Sequence, residues 1–119
     1  MSEIIEWVLE LEIADGKLEA LEALMQEMSD ATQSDEPGAL IYEWYVDAGA
    51  TTCHIIERYA DNDAVMTHLT NFGQKFAERF TAILKPTAIT VYGPASVQVM
   101  AALGAFAPLH FKRFGGFHR

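Results

Sequence analysis

The sequence predicts a single α+β domain: a ferredoxin-like plait whose elements follow the order βαββαβ around one antiparallel sheet. Three observations support this fold class. The chain has 119 residues, the usual size of one domain. Strand-like and helix-like hydrophobic patterns alternate along it in that order. Two adjacent strand-like runs are separated only by residues 47–50, which is typical of a hairpin.

The first two elements are predicted to be a half-buried strand and an amphipathic helix. Alternate apolar residues of 4–13 share one side of the strand, namely Ile5, Trp7, Leu9, Leu11 and Ile13. In the helix that follows, apolar residues repeat at intervals of three and four and predict a buried stripe of Leu18, Leu21, Met25 and Met28, with Leu24 alongside. We expect the helix to end before Pro37, which has no backbone N–H to donate.

The predicted hairpin is apolar on both faces. On its first strand, Leu40, Tyr42 and Trp44 take one side, and Ile41 and Tyr45 take the other. Because the helices of a plait cover only one face of the sheet, the second face needs a partner. A homodimer that stacks sheet on sheet is the expected solution, and the Phe-rich end of the chain is expected to seal it.

The remaining elements complete the predicted plait. Asp61 is a candidate N-cap for a second helix, with a possible bend at Gly73 and an end at Lys85–Pro86. The expected buried stripe of that helix consists of Val65, Leu69, Phe72, Phe76, Phe80 and Ile83. Residues 88–93 form the expected fourth strand, and Ser96 is expected to cap a short helix. The domain thus spans 1–119, with its core in 4–93 and a short helix plus a C-terminal strand or tail in 94–119.

Composition excludes several classes of function. A net charge of −9 argues against binding to nucleic acid. No apolar run approaches the roughly 20 residues of a membrane span, and the acidic start of the chain does not resemble a secretory signal, so a cytoplasmic location is expected. The single cysteine, Cys53, predicts no disulfide framework. The acids concentrate in the first half of the chain and the basic residues at its end. One interpretation is a solvated acidic face with a basic tail, and the other is that the tail lies against Glu6, Glu10 or Glu12 of the same or a partner subunit.

His68 is the main candidate for chemistry, because helical spacing places it on the apolar face shared by Val65 and Phe72. One interpretation is a histidine at the edge of the core, satisfied by a backbone carbonyl or a tyrosine. The other is a general base or hydrogen-bond donor that lines an apolar pocket. Glu57 is expected to form an ion pair with Arg58 or Lys85, the alternative being a buried carboxylate. The histidines and Cys53 lack metal-ligand spacing, so no metal site is expected.

Residues 36–72 resemble the antibiotic biosynthesis monooxygenase family, and the similarity covers most of residues 4–93. The shared features are Pro37–Gly38 before the second strand, the Glu57 and Tyr59 pair at the end of the third, and His68 followed by an apolar residue. The resemblance implies a dimeric α+β barrel in which each subunit keeps a pocket between helices and sheet. Some members of the family oxygenate phenols, quinols or aromatic polyketides without metal, flavin or haem.

The resemblance therefore implies a cofactor-independent monooxygenase for a small aromatic, phenolic or quinol substrate. In that scheme His68 is the base or oxyanion partner. The expected substrate-binding residues are Trp44, Tyr45, Tyr59, Asn71 and Phe72. Haem-degrading relatives carry an axial histidine where this chain has Glu78–Arg79, so haem chemistry is not expected. The competing hypothesis is a non-catalytic dimer of the same fold that binds a small ligand or has a structural role.

Overall fold

The computed structural model describes residues 2–119 and has an α+β architecture. Five strands and four α-helices follow one another within these residues. They are β1 (Ile5–Ile13), α1 (Leu18–Asp35), β2 (Ala39–Val46), β3 (Thr52–Tyr59), α2 (Asn62–Lys75), α3 (Ala77–Ile83), β4 (Leu84–Tyr92), α4 (Val97–Ala102) and β5 (Leu109–Phe111). None of the helices in this part of the chain combines the length and the apolar character that a membrane span requires.

The strands form one sheet in the order β2-β3-β1-β4-β5. The first four strands pair antiparallel, and β5 adds to β4 in parallel. The central position of β1, between β3 and β4, is the arrangement of a βαββαβ plait. The predicted fold class is therefore confirmed, with β5 as an additional edge strand.

The hydrophobic core lies between the helices and the inner face of the sheet. The five apolar residues that the period-two pattern of β1 predicts to be inward are all buried. They pack with inward residues of β3 and β4 and with one stripe of each long helix, including Ile55, Ile89, Val91, Leu21, Met28, Val65 and Phe80. This face carries nearly all of the buried apolar surface, which is the dominant favourable term in folding.

Helix α1 ends before Pro37, as expected, but its buried stripe differs from the predicted one. Leu21, Leu24, Met28 and Thr32 are buried, whereas Leu18 is 44% exposed. The predicted and observed stripes share Leu21 and Met28, and Leu24, predicted to lie alongside, is buried with them. Packing against the sheet adds Thr32, whereas Leu18, the first helical residue, is left in solvent.

The predicted second helix is in fact two helices, and the prediction of its bend at Gly73 is wrong. The helical path breaks at Phe76, which has φ −128° and ψ −20°, while Gly73 lies on the exposed side of α2. In one continuous helix, Phe72 and Phe80 would lie about 12 Å apart along the axis. The break instead brings their rings edge to face, with centroids 5.0 Å apart.

Strand β4 begins at Leu84, four residues earlier than predicted. Pro86 does not terminate the preceding helix, which already ends at Ile83, and it lies within the strand opposite Leu11. The pairing register between β1 and β4 shifts at Glu10/Leu11, next to this proline. A strand proline cannot donate a ladder hydrogen bond and is therefore found at such irregularities.

The end of the chain begins with the predicted short helix. The Ser96 hydroxyl accepts a hydrogen bond from the Val99 backbone N–H at 3.1 Å, which confirms the cap. The basic end lies beside β1, because Lys112 and Arg113 line one surface pocket together with Glu6. No ion pair joins them within residues 2–119, where Glu6 pairs with Arg58 at 3.1 Å. The aromatic rings of Phe114 and Phe117 are exposed in the single chain.

The outer face of the sheet, turned away from the helices, mixes apolar and charged side chains. Tyr45 is 51% exposed there, and the rings of Tyr92 and Phe111 stack with centroids 5.9 Å apart. Val8 and Ile56 lie near the middle of this face and are half-buried. The single chain thus leaves aromatic and aliphatic groups in contact with solvent, as the pattern of the hairpin predicts.

Candidate functional site

Three ionisable side chains meet in the buried space between the helices and the sheet. Glu36, Glu57 and His68 are 6%, 4% and 6% exposed. The Nδ1 of His68 lies 2.9 Å from Oε1 of Glu36, and its Nε2 lies 3.3 Å from Oε1 of Glu57. The imidazole ring is therefore held between two carboxylates. We refer to these three residues as the buried triad.

Each member of the triad is delivered by a different element. Glu36 is the residue that ends α1, Glu57 is on the inward register of β3, and His68 is on the inward face of α2. The close approach of these elements depends on Gly38, because a Cβ atom there would lie 2.6 Å from Cβ of Ala64 at the start of α2. The glycine after Pro37 thus allows the start of β2 to pass directly beside α2.

Glu57 is stabilised by hydrogen bonds rather than by a surface ion pair. The Trp7 indole N–H donates to Oε2 at 2.8 Å, and the Tyr59 hydroxyl donates to Oε1 at 2.6 Å. With His68 beside it, the carboxylate has three polar neighbours, which offsets the cost of removing a charge from water. The expectation of an ion pair with Arg58 or Lys85 is therefore wrong, because Glu57 faces inward and Arg58 faces outward.

Charges within the triad raise the pKa of His68. Burial by itself lowers the pKa of this imidazole, but hydrogen bonds and charges from Glu36 and Glu57 outweigh burial and raise it to about 9. Burial opposes ionisation of Glu36, yet the hydrogen bond and charge of His68, together with Asn71 and Lys75, lower the pKa of that carboxyl. His68 is thus an imidazolium at neutral pH, which suits a hydrogen-bond donor rather than a general base.

The buried tyrosines beside the triad remain neutral. Burial and the negative charge of Glu57 raise the pKa of Tyr59 well above its ordinary value, and the same causes, with Glu36, raise the pKa of Tyr42. Both phenol groups are therefore hydrogen-bond donors at physiological pH. The Tyr59 hydroxyl donates its hydrogen bond to Glu57.

A cavity adjoins the triad on its inner side. The centre of a water molecule can move through about 40 Å³ of it. Glu57 and His68 are its only lining residues with ionic character; the others are apolar or aromatic and include Trp7, Tyr42, Leu69, Phe72, Phe80 and Phe106. The cavity as it stands has room for a few water molecules. A larger ligand requires lining side chains to move, and among these the rings of Phe72 and Phe106 are half-buried.

The structure brings some of the predicted site residues to this cavity and places others elsewhere. His68 and Phe72 line it. Tyr59 reaches it through Glu57, and Asn71 donates to Oε2 of Glu36 at 3.2 Å. Tyr45 lies on the outer face of the sheet, away from the cavity.

Trp44 lies beside the cavity, behind two of its walls. Its indole packs edge to face against Tyr42 and Phe80, with ring centroids 5.9 Å and 6.1 Å away. The Nε1 of this indole is buried and has no hydrogen-bond partner among residues 2–119. A buried donor without a partner costs free energy, and such groups are frequent at sites that bind a ligand.

Glu36 is a site residue that the sequence analysis missed. Glu36 is 32 residues from His68 along the chain, and no local pattern links them. A signal for Glu57 did exist, because it alternates with Ile55 and Tyr59 on the inward register of β3. In addition, no group of three or more His, Cys, Asp or Glu side chains within residues 2–119 has the arrangement of a metal site.

Comparisons with known proteins identify similar sequences and folds. A family model described as "Antibiotic biosynthesis monooxygenase" matches residues 4–85. The crystal structure of MupZ from Pseudomonas fluorescens is similar with a TM-score of 0.87 and 26% sequence identity, covering 100% of this chain and 91% of that one. No curated protein matches the sequence.

Two further crystal structures support the fold alone, because their identities are below 25%. PA3566 from Pseudomonas aeruginosa has a TM-score of 0.60 and 24% identity, covering 76% of this chain and 91% of that one. A proposed antibiotic biosynthesis monooxygenase from Caulobacter crescentus has a TM-score of 0.55 and 21% identity, covering 88% of this chain and 79% of that one.

Proposed function

Because the chain belongs to the antibiotic biosynthesis monooxygenase family, we propose that it oxygenates a small phenolic or quinol-type aromatic molecule without a bound cofactor. The observation that carries the proposal is the presence of Glu57 and His68 in the wall of an otherwise apolar and aromatic cavity. Opposite charges in a cavity of low polarity are suited to removing a proton from a neutral ligand and stabilising the resulting anion.

In this proposal His68 is the oxyanion partner, and Glu57 accepts the proton. The pKa of about 9 means that His68 has no free lone pair for a proton at neutral pH, but its positive charge stabilises a phenolate oxygen. An ordinary phenol ionises with a pKa of about 10. A cation within hydrogen-bond distance of the oxygen lowers that pKa and increases the fraction of substrate anion.

All electrons in the proposed reaction come from the substrate. The substrate anion reduces O₂, and a C–O bond forms at a ring carbon that carries hydrogen. The resulting hydroperoxide loses water as its O–O bond breaks and a C=O bond forms. Overall, the substrate exchanges two hydrogen atoms for one oxygen atom, and the second oxygen atom leaves with those hydrogens as water. The protein contributes orientation, a dry environment and the proton transfers.

The other site residues have supporting roles in this scheme. Phe72 provides an aromatic wall for a flat substrate. Trp44 acts indirectly, because it packs behind the cavity walls Tyr42 and Phe80 and holds them in place. Tyr59 acts through Glu57, and Asn71 acts through Glu36. Tyr45 has no role at the cavity of its own subunit in this proposal; it belongs to the dimer interface.

The homodimer is part of the proposal because the outer face of the sheet is incomplete in one chain. Tyr45, Tyr92 and Phe111 are between 42% and 52% exposed there. Stacking this face on a second copy would remove their apolar surface from water, and symmetric pairing is the commonest way to do so. The exposed rings of the C-terminal segment lie beyond β5, where they can contact the same partner.

The narrow cavity favours a second candidate function, a non-catalytic dimer that binds a small ligand or is purely structural. Only about 40 Å³ admits the centre of a water molecule, which is too little for a ring system unless lining side chains move. The two candidates differ in one property. The monooxygenase consumes O₂ when an aromatic substrate is present, and the non-catalytic dimer does not.

Oxygen uptake with a panel of quinols and dihydroxyaromatics tests the proposed function. We expect uptake above background with at least one compound, and loss of most of it in His68→Gln. The matched control is His54→Gln, because His54 lies on the outer face of the sheet, 3.6 Å from Glu10. That variant is expected to keep wild-type uptake. Absence of uptake on every compound would reject the monooxygenase, and equal activity of His68→Gln would reject the role of His68.

A further inference from the structure

Glu36 is the one member of the triad that does not line the cavity. Its carboxylate lies on the far side of the His68 ring, where Oε1 contacts Nδ1 at 2.9 Å. Neither the substrate nor oxygen in the cavity would touch it. Nevertheless it forms the shorter of the two carboxylate contacts to the imidazole.

The backbone of Glu36 is fixed on both sides. Its N–H donates to the Thr32 carbonyl at 3.0 Å, and its own carbonyl accepts from the Ala39 N–H at 3.0 Å. The following Pro37 further restricts the chain. The side chain is held in turn by the Asn71 amide, which donates to Oε2. This carboxylate is therefore an ordered group, as a residue that orients another side chain must be.

We propose that Glu36 is a positioning residue that orients the His68 ring, with Nε2 directed at Glu57 and the cavity, and that holds the ring in its charged form. A hydrogen bond made by one ring nitrogen determines which way the other nitrogen points and whether it carries a proton. The consequence for function rests on the proposed oxyanion role of His68. The orientation and the charge of the ring are independent of that role, and they can be measured without a substrate.

The charge of the ring depends on every polar group around it. Glu36 at the end of α1 and Glu57 on β3 favour the cation. Tyr42 on β2 and Tyr59 on β3 face the ring, with centroids 5.4 Å and 5.1 Å away, and both are neutral phenols. Lys75, at the end of α2, affects the ring only through Glu36. If the Glu36 charge is removed, burial still opposes the cationic form of His68, and only the charge of Glu57 still favours it.

The inference predicts how the pH range of the site is set. With both carboxylates present, the pKa of about 9 keeps His68 cationic throughout the physiological range. With Glu36 neutralised, the ring loses its proton at lower pH, because one nearby opposite charge raises such a pKa by about 1–3 units. The upper limit of the pH–activity profile would move down by the same amount, whereas a loss of structure alone would lower activity at every pH.

An NMR titration of the histidine rings tests the proposal directly. The protein is labelled with ¹⁵N in its four histidines, and the His68 signal is identified by its absence in His68→Gln. We expect a midpoint near 9 in the wild-type protein. In Glu36→Gln, which keeps the shape of the side chain, we expect the midpoint to fall by at least about one unit, a tenfold loss of proton affinity.

Two further variants complete the test. Glu36→Asp keeps the charge but moves it away from Nδ1, so the His68 midpoint in this variant is expected between those of the wild type and Glu36→Gln. If Glu36→Gln does not fold, Glu36→Asp is the variant that tests the proposal. The control is Glu10→Gln on the outer face, which is expected to leave the His68 midpoint unchanged. The proposal is overturned if His68 of the wild type titrates at or below its ordinary value, if Glu36→Gln titrates like the wild type, or if Glu10→Gln produces an equal shift.

Discussion

The hydroxyl of Tyr59 donates a hydrogen bond of 2.6 Å to Glu57, two residues earlier on the same strand. Residues at i and i+2 of a strand share one face, so β3 directs both side chains into the core. The Oε1 atom that accepts this bond is also the one that lies 3.3 Å from His68. Stability and chemistry at the site thus depend on the same oxygen atom.

Substitution Tyr59→Phe is expected to destabilise the protein by about 1–3 kcal/mol, because a buried carboxylate loses a donor that nothing replaces. Urea unfolding at pH 7 measures the change. Tyr92→Phe is the matched control, since Tyr92 is 42% exposed on the outer face and stacks only through its ring on Phe111. Equal midpoints for Tyr59→Phe and the wild type would contradict the importance of this bond.

The stability of the protein is expected to fall as pH rises from about 6.5 to about 9. In the unfolded chain His68 loses its proton near pH 6.5, whereas in the folded protein it keeps it until about 9. Its contribution is therefore complete below pH 6.5 and is lost as pH passes through the folded value, a decrease of about 3 kcal/mol. The free energy of unfolding should change less with pH across this range in His68→Gln than in the wild type. Equal pH dependence in both proteins would refute the linkage between the His68 pKa and stability.

Glu36 affects the pH dependence of stability in the opposite direction, because its contribution is lost as the pH falls rather than as it rises. Its folded pKa is lowered, so its contribution is present above its ordinary pKa and is lost as pH falls through the folded value. The triad is therefore expected to stabilise the fold most between the ordinary pKa values of a glutamate and a histidine, about 4.3 and 6.5. In urea unfolding measured from about pH 6.5 down to acid pH, Glu36→Gln should lose less stability on acidification than the wild type. Equal losses in the two proteins would contradict this contribution of Glu36.

Gly38→Ala is expected to destabilise the protein, since the new Cβ would lie 2.6 Å from Cβ of Ala64. Overpacking of this kind costs about 1–3 kcal/mol. Gly73→Ala is the control: a Cβ there meets nothing within 4 Å and sits in the exposed side of α2. That change is expected to stabilise the protein by about 0.5–1 kcal/mol. The midpoint temperatures of unfolding of the two variants should therefore shift in opposite directions. Shifts in the same direction would contradict the close approach of Gly38 to Ala64.

The outer face of the sheet predicts the oligomeric state. We expect sedimentation at micromolar concentration to give twice the 13.2 kDa mass of one chain. Tyr45→Asp places a charge in the proposed interface and is expected to shift the protein toward the monomer. Leu18→Asp, at an exposed apolar position on α1, is expected to leave the dimer intact. A wild-type protein that sediments as a monomer under these conditions would contradict the proposed dimer through the outer face of the sheet.

Local patterns were sufficient to predict most of the fold. The alternation of β1 follows from period two, and the Asp61 carboxylate accepts from the Ala64 N–H at 2.8 Å, as expected for an N-cap. Each of these features is determined by residues within a few positions of one another. The break at Phe76 is different, because it accompanies a contact between Phe72 and Phe80 that no helical repeat describes.

The site was predictable only in part for the same reason. His68 could be identified from its position on an apolar helical face, but its partners lie 32 and 11 residues away on other elements. Glu57 was expected to form an ion pair with Arg58 or Lys85, because buried carboxylates are uncommon unless they are paired. Its register beside Tyr59 indicated burial, while the donors that make burial tolerable, Trp7 above all, become neighbours only when the sheet forms.

The most direct test of the proposed chemistry is a turnover under ¹⁸O₂ with a compound that supports oxygen uptake, after exhaustive treatment of the protein with a metal chelator. The account predicts one labelled oxygen atom in the product, the other in water, and an unchanged rate after chelation. Product oxygen derived from the solvent, or activity that disappears with the chelator and returns with a metal, would contradict it.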